Sequence, residues 1–201
     1  MTDGATLVHV YDPMCSWCWA YRPEWTALRG ALPADLTVVE LLGGLAPDSD
    51  EPMPPETRAM VQGHWRRIEG LLGTAFNHDF WTACSPRRDT YKACRAVVAA
   101  GERGPDMVLA IQEAYYLRAM NPSEPDTLVQ LAGEIGLDQE VFAALLAATE
   151  TDIEFRRQRD LARQLGVGSY PSLVLLAGQE ARPIPVDYRD HRVTLAAIQG
   201  A

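Results

Sequence analysis

Asp12-Pro13-Met14-Cys15-Ser16-Trp17-Cys18-Trp19 is the stretch on which the reading of this chain turns. It sets two thiols three positions apart, after the strand-like run Thr6-Leu7-Val8-His9-Val10-Tyr11 and at the start of a helical pattern. A helix N-terminus offers unpaired backbone N–H groups and the positive end of the peptide dipoles. Both favour thiolate, the form that attacks disulfides and binds metals. A free thiol titrates near about 8.5, whereas values of about 3.5–7.5 occur in such settings. Cys15, at the strand-to-helix junction, is therefore expected to attack. Cys18, one turn on and more buried, is expected to resolve the mixed disulfide.

The remaining composition narrows the options. The chain has 201 residues, 47% of them hydrophobic, enough for a substantial core. Its formal charge is −9, and Lys92 is the only lysine. An acidic chain has no general reason to bind nucleic acid or an anionic membrane. Met1 to Ala5 lacks a basic and apolar leader pattern. Runs such as Ser172 to Ala177 are too short to cross a bilayer. These features predict a soluble cytoplasmic protein whose four cysteines, Cys15, Cys18, Cys84 and Cys94, are mostly reduced, without a structural disulfide framework.

Outward from the cysteine pair, a helix is expected over 16–32, with Trp17, Tyr21, Trp25 and Leu28 on one face and Pro23 as a kink or a late start. A second strand, Leu36 to Leu42, stops at Gly43-Gly44. Pro47 to Glu56, with four prolines and four acids, reads as a linker. The pattern is then helical from about residue 56 to 165. Met60, His64 and Ile68 share a face, Ser123 and Asp138 are expected as N-caps, and Val141, Phe142, Leu145 and Leu146 are expected inside. Ser172 to Leu176 returns to strand, Gly178-Gln179-Glu180 to turn, and Pro183 to Tyr188 to an edge strand. A terminal helix is expected around Val193, Leu195 and Ile198. Without the helical block, the order is βαβ followed by ββα. The chain thus divides into a discontinuous domain, 1–45 plus 166–201, and an inserted helical domain, 46–165.

The competing reading of Cys-x-x-Cys is half a zinc site. The other half would be Cys84 and Cys94, whose spacing is poor for ligands. Both read better as small buried hydrophobes.

A strand followed by Cys-x-x-Cys at a helix start resembles the thioredoxin superfamily, and a helical block between the two halves resembles its DsbA branch. The full run from Asp12 to Trp19, with Gly43-Gly44-Leu45, His64-Trp65, Asp89-Thr90 and Cys94-Arg95-Ala96, is similar to the cytoplasmic DsbA/FrnE-like group of protein-disulfide isomerases. The resemblance implies a thioredoxin-like α/β fold with a four-stranded mixed sheet in order 2-1-3-4, the third strand antiparallel to the first. It implies thiol–disulfide exchange with a protein or low-molecular-weight partner such as glutathione, requiring no organic cofactor and no metal. It also implies a cis proline at the start of the third strand, facing the thiols. Pro171 in Gly166-Val167-Gly168-Ser169-Tyr170-Pro171 occupies that place, leaving the backbone of Tyr170 open to an extended substrate.

Two departures stand out. The buried acid that the family often carries six residues before the first cysteine is here His9, either a proton relay or a core histidine bonded to backbone. The dipeptide between the thiols is Ser16-Trp17, which leaves the direction of electron flow open. Trp17 and Trp19 are candidates for an apolar substrate rim, weighed against simple packing. His64, Trp65 and His78 read as packing or surface residues. Arg156, Arg157, Arg159 and Arg163 read as a solvated helix face. Two other functions compete: a glutathione-dependent isomerase or transferase of the chromene-carboxylate isomerase/kappa type, and a non-catalytic partner-binding or zinc-binding module.

Overall fold

The computed structural model describes residues 4–200. The chain runs β1 (Thr6–Tyr11), α1 (Ser16–Ala31) and β2 (Thr37–Leu42), then seven α-helices, then β3 (Ser172–Ala177), β4 (Glu180–Ile184) and α9 (His191–Gln199). The intervening helices are α2 (Pro55–Leu72), α3 (Phe80–Ala83), α4 (Tyr91–Ala99), α5 (Gly104–Tyr116), α6 (Pro125–Glu134), α7 (Gln139–Leu146) and α8 (Thr149–Gln164). The sheet order is β2-β1-β3-β4. β1 pairs parallel with β2 and antiparallel with β3, and β4 lies antiparallel to β3 at the edge. This is the thioredoxin-like arrangement expected from the resemblance.

The two-residue period of the strands divides the core. Leu7, Leu173, Leu175 and Ile184 meet Tyr21 and Leu28 of α1 and Ile198 of α9. Val8, Val10, Leu41 and Val174 face the other way, against Ala162 of α8. A third cluster continues from Tyr11, Cys15, Cys18 and Trp19 into the helical block, where Trp65, Trp81, Tyr115 and Tyr116 pack.

Several local expectations are corrected. β4 starts at Glu180, because Ala177 pairs with Glu180 and only Gly178 and Gln179 make the turn, Gly178 with φ +60°. Pro183 lies within this edge strand, opposite Val174. α1 starts at Ser16 and runs through the exposed Pro23 rather than starting late. Ser123 does not cap α6; its hydroxyl donates to the Asp89 carbonyl at 2.9 Å, and Glu124 is the N-cap. Asp138 does cap α7, accepting from the Val141 N–H at 2.9 Å. Val141, Leu145 and Val193 are exposed, so Phe142 anchors α7 and Thr194 with Ile198 anchors α9.

Gly43 and Gly44 do more than stop β2. A Cβ on Gly43 would overlap the Tyr170 ring. Gly44 has φ +70°, and a Cβ there would stand 2.7 Å from Tyr91 and 2.8 Å from Phe155. Gly43→Ala is expected to cost about 1–3 kcal/mol, by overpacking. Exposed Gly63, in open space within α2, provides the contrast: Gly63→Ala is expected to stabilise by about 0.5–1 kcal/mol. Paired thermal and urea unfolding checks both signs.

His9 points to the α1 face, its ring 4.1 Å from Trp25 and 5.1 Å from Tyr11. Its Nδ1 lies 3.2 Å from Glu40 Oε1. Because a carboxylate only accepts, Nδ1 carries the proton. Burial lowers the His9 pKa against the opposing pull of Glu40, so the ring is neutral at neutral pH. The contact is then a hydrogen bond rather than an ion pair. With the folded pKa below the unfolded value of 6.5, the unfolded chain binds more protons over that interval. Stability is therefore expected to fall as pH drops from about 6.5 through the lower folded pKa. His9→Gln should flatten that part of a denaturation-versus-pH profile.

Candidate active site

Cys15 is the N-cap of α1, with φ −83° and ψ 118°, and no acidic residue sits in the helix's first turn. Its N–H closes a turn onto the Asp12 carbonyl at 3.0 Å, and its carbonyl accepts from Trp19 N–H at 3.0 Å. The Cys15 side chain thus stands at the positive end of the helix, with no acid in the first turn. Its Sγ lies 3.4 Å from the Tyr170 carbonyl oxygen, to which the thiol donates. The Tyr170–Pro171 peptide bond is cis. The segment that enters β3 places this backbone carbonyl beside a thiol 155 positions away in sequence.

The two thiols are neighbours with different surroundings. Cys15 opens on a cleft of about 240 Å³, walled by α2 on one side and by Gly168 to Tyr170 on the other. Cys18 lines a separate cavity of about 280 Å³ behind the helix start, together with His9, Tyr11, Glu40 and Gln112. Burial pushes the Cys18 thiol well above the ordinary range, and the adjacent Cys15 sulfur adds to this. All four cysteines are free.

Asp12, at the head of the decisive stretch, has no exposed surface. Its Oδ1 accepts from Met14 N–H at 2.7 Å. Its Oδ2 accepts from Leu45 N–H and Thr90 Oγ1, both at 2.7 Å, and from the Cys94 thiol at 3.7 Å. Burial raises its pKa, although the hydrogen bonds from Thr90, Leu45, Met14 and Cys94 all oppose the rise. Sequence reasoning did not single out Asp12 as a site residue. The available signal was that Asp12, Leu45, Thr90 and Cys94 belong to the stretches that carried the family resemblance.

Trp17 and Trp19 part company. Trp17 lines the Cys15 cleft, edge-on to Tyr188 at 5.2 Å, with the Arg67 guanidinium 5.9 Å from its ring. Trp19 is buried, stacked on Tyr116 at 5.7 Å and donating Nε1–H to the Ala75 carbonyl at 3.2 Å. Its place is in the core rather than on a substrate rim, because α1 turns that face into the helical block. His9 lies in the cavity behind Cys18, and its Nε2 has no protein partner. His64 lines the cleft, Trp65 is fully buried, and His78 bonds Glu69 at 3.0 Å.

Cys94 is buried as expected, but it bonds Asp12 rather than packing only as a hydrophobe. Cys84 is half-buried and donates to the Ala119 carbonyl at 3.0 Å. Arg156, Arg157 and Arg163 pair with acids along the exposed side of α8. Arg159 reaches Asp160 at 3.8 Å and also leans on the Tyr91 ring at 5.1 Å. Among the described residues, no group of three or more His, Cys, Asp or Glu converges as a metal site. No helix among them is long and apolar enough to cross a membrane.

The chain is similar to proteins of known structure along almost its whole length. A provisionally named protein disulfide isomerase from Nitrosomonas europaea superposes with a TM-score of 0.82 at 28% identity, covering 98% of this chain and 96% of that one. The cytosolic disulfide reductase DsbM from Pseudomonas aeruginosa superposes with a TM-score of 0.77 at 26% identity, covering 98% and 100%. Its structure with GSH gives 0.76 at the same identity and coverage. No curated protein matches. The model of the DSBA-like thioredoxin domain matches residues 6–184, and the chain belongs to that family.

Proposed function

We propose that this chain is a thiol–disulfide oxidoreductase, with disulfide-isomerase capacity, acting through Cys15 and Cys18. The observation that carries this reading is Cys15 at a helix N-terminus with no acid in the first turn, facing both the cleft and the Tyr170 carbonyl, with Cys18 one turn deeper. Cys15 thiolate attacks a substrate disulfide, forms a Cys15–substrate S–S bond and releases one substrate thiolate. Cys18 then loses its proton and attacks Cys15 sulfur, forming the Cys15–Cys18 disulfide and releasing the second substrate thiolate. The substrate gains two electrons, and the pair supplies them. Two equivalents of a small thiol restore the reduced pair, and no cofactor enters the exchange. In isomerisation the first released thiolate attacks a different substrate disulfide, and the thiolate this frees attacks the substrate sulfur of the mixed disulfide, releasing Cys15 and leaving the pair reduced.

The side chains divide the labour. Cys15 is the nucleophile and Cys18 the resolving thiol. Tyr170 and Pro171 present backbone to an extended substrate, and Trp17 gives it an apolar surface. Burial keeps Cys18 protonated, so its attack needs a proton acceptor. Neutral His9, in the same cavity with a free Nε2, is the candidate relay. Residues 1–45 and 166–201 carry the redox pair, and 46–165 supply the opposing wall. The Pseudomonas relative is described as a cytosolic disulfide reductase and has been solved with GSH. A cytosolic thiol-exchange role with glutathione or a protein disulfide is the corresponding proposal here. A transferase needs no second thiol, and zinc finds no third ligand among the described residues, so contact between Cys15 and Cys18 favours exchange.

Insulin reduction with a thiol donor tests this. Cys15→Ser is expected to lower turnover by roughly 100-fold or more, because the nucleophile is gone. Cys18→Ser should instead accumulate a substrate mixed disulfide at Cys15, visible by mass spectrometry under non-reducing conditions. Equal turnover by wild type and Cys15→Ser sinks the reading.

A further inference from the structure

The cleft beside Cys15 has a charge balance opposite to that of the chain. The chain carries a formal −9, yet Arg87, Arg88 and His64 line the cleft with Asp89 as its acid. Most of these charges are already matched. Arg87 pairs with Glu124 and reaches Asp50 at 3.5 Å. Asp89 Oδ2 holds Lys92 Nζ at 2.5 Å and lies 3.4 Å from Ser49 N–H, although its Oδ1 has no partner.

Arg88 is different. It is half-buried, and among the described residues no carboxylate lies within ion-pair distance of it. Its guanidinium nitrogens are not sealed from solvent, so they remain available to a ligand. Its planar fork matches a carboxylate through two parallel hydrogen bonds. Cys15, Trp17, Met60 and Val61 line the same cleft, so a sulfur at Cys15, an apolar backbone and an anionic end fit together. At about 240 Å³ the cleft lies at or just below the small end of ligand pockets. That volume suits a short peptide thiol better than a folded protein segment.

We infer that Arg88 is the carboxylate-reading residue of the Cys15 cleft, selecting anionic, low-molecular-weight peptide thiols over neutral ones. The inference deepens the exchange reading of the same cleft. It concerns recognition, however, so a non-reacting ligand tests it separately.

S-methylglutathione, whose blocked sulfur cannot exchange, and its diethyl ester, whose carboxylates are neutralised, are titrated calorimetrically into the reduced protein. Wild type is expected to bind the acid at least about tenfold more tightly than the ester, as loss of one charge-assisted hydrogen bond implies. Arg88→Gln should remove that preference, and Arg88→Lys should keep part of it. Equal binding of acid and ester by wild type, absence of binding to the acid, or an unchanged preference in Arg88→Gln overturns the inference. The wild-type comparison does so even if a variant fails to fold. An Arg88-dependent preference in a protein that fails the insulin assay would sustain recognition and discard exchange.

Discussion

Asp12 binds together parts of the chain that are far apart in sequence. Its carboxylate accepts from Met14 in the redox loop, Leu45 after β2 and Thr90 at the head of α4, each at 2.7 Å. Thr90 completes the joint, since its hydroxyl donates to Asp12 and accepts from Leu45 and Ala46 N–H, both at 3.1 Å. Burying a carboxylate costs several kcal/mol unless its lone pairs are filled. Here they are nearly filled, yet burial still raises the pKa, so desolvation outweighs the hydrogen bonds. The gain is geometric. The loop that presents Cys15 and the helical block that faces it are held by one group.

Much of this was legible in the sequence, but not its centre. Short apolar, β-rich runs marked the first three strands and an edge proline the fourth, and Cys-x-x-Cys with a distant Tyr-Pro implied the sheet order through the resemblance. Asp12 was harder, because its partners lie 33, 78 and 82 positions away, and a single acid carries no periodicity. β4 began earlier than the proline suggested because the tight turn at Gly178 set its register. Val141 and Leu145 were apolar at helical spacing, yet α7 packs mainly through Phe142. Periodicity reports that a helix has an apolar stripe; it does not report which part of the stripe finds a partner.

The two thiols owe their difference to depth rather than to exposed area. Cys15 and Cys18 are each 6% exposed. One lies at the helix terminus against the cleft walled by α2, and the other lies in the first turn against a separate cavity lined by His9 and Tyr11. Burial acts strongly on Cys18, and neutral His9 adds no positive charge to offset it. The two sulfurs, one helical turn apart, thus sit in different surroundings.

The cleft wall has a less direct origin. Met60, Val61 and His64 line the cleft from α2, but none is fully buried, so none fixes the helix. Trp65 does: it is fully buried, 4.8 Å from Trp81, 5.0 Å from Phe76 and 5.4 Å from both Tyr115 and Tyr116. Tyr116 also stacks on Trp19 of α1, which follows Cys18 directly and lies one turn after Cys15. A helix rotates as a unit, so the residue that anchors it sets where Val61 and His64 point. The aromatic cluster, of which Trp65 and Tyr115 themselves line the cleft, therefore governs its shape, while Asp12 governs the position of Cys15. The site is the place where these two anchors, one apolar and one charged, are brought into register.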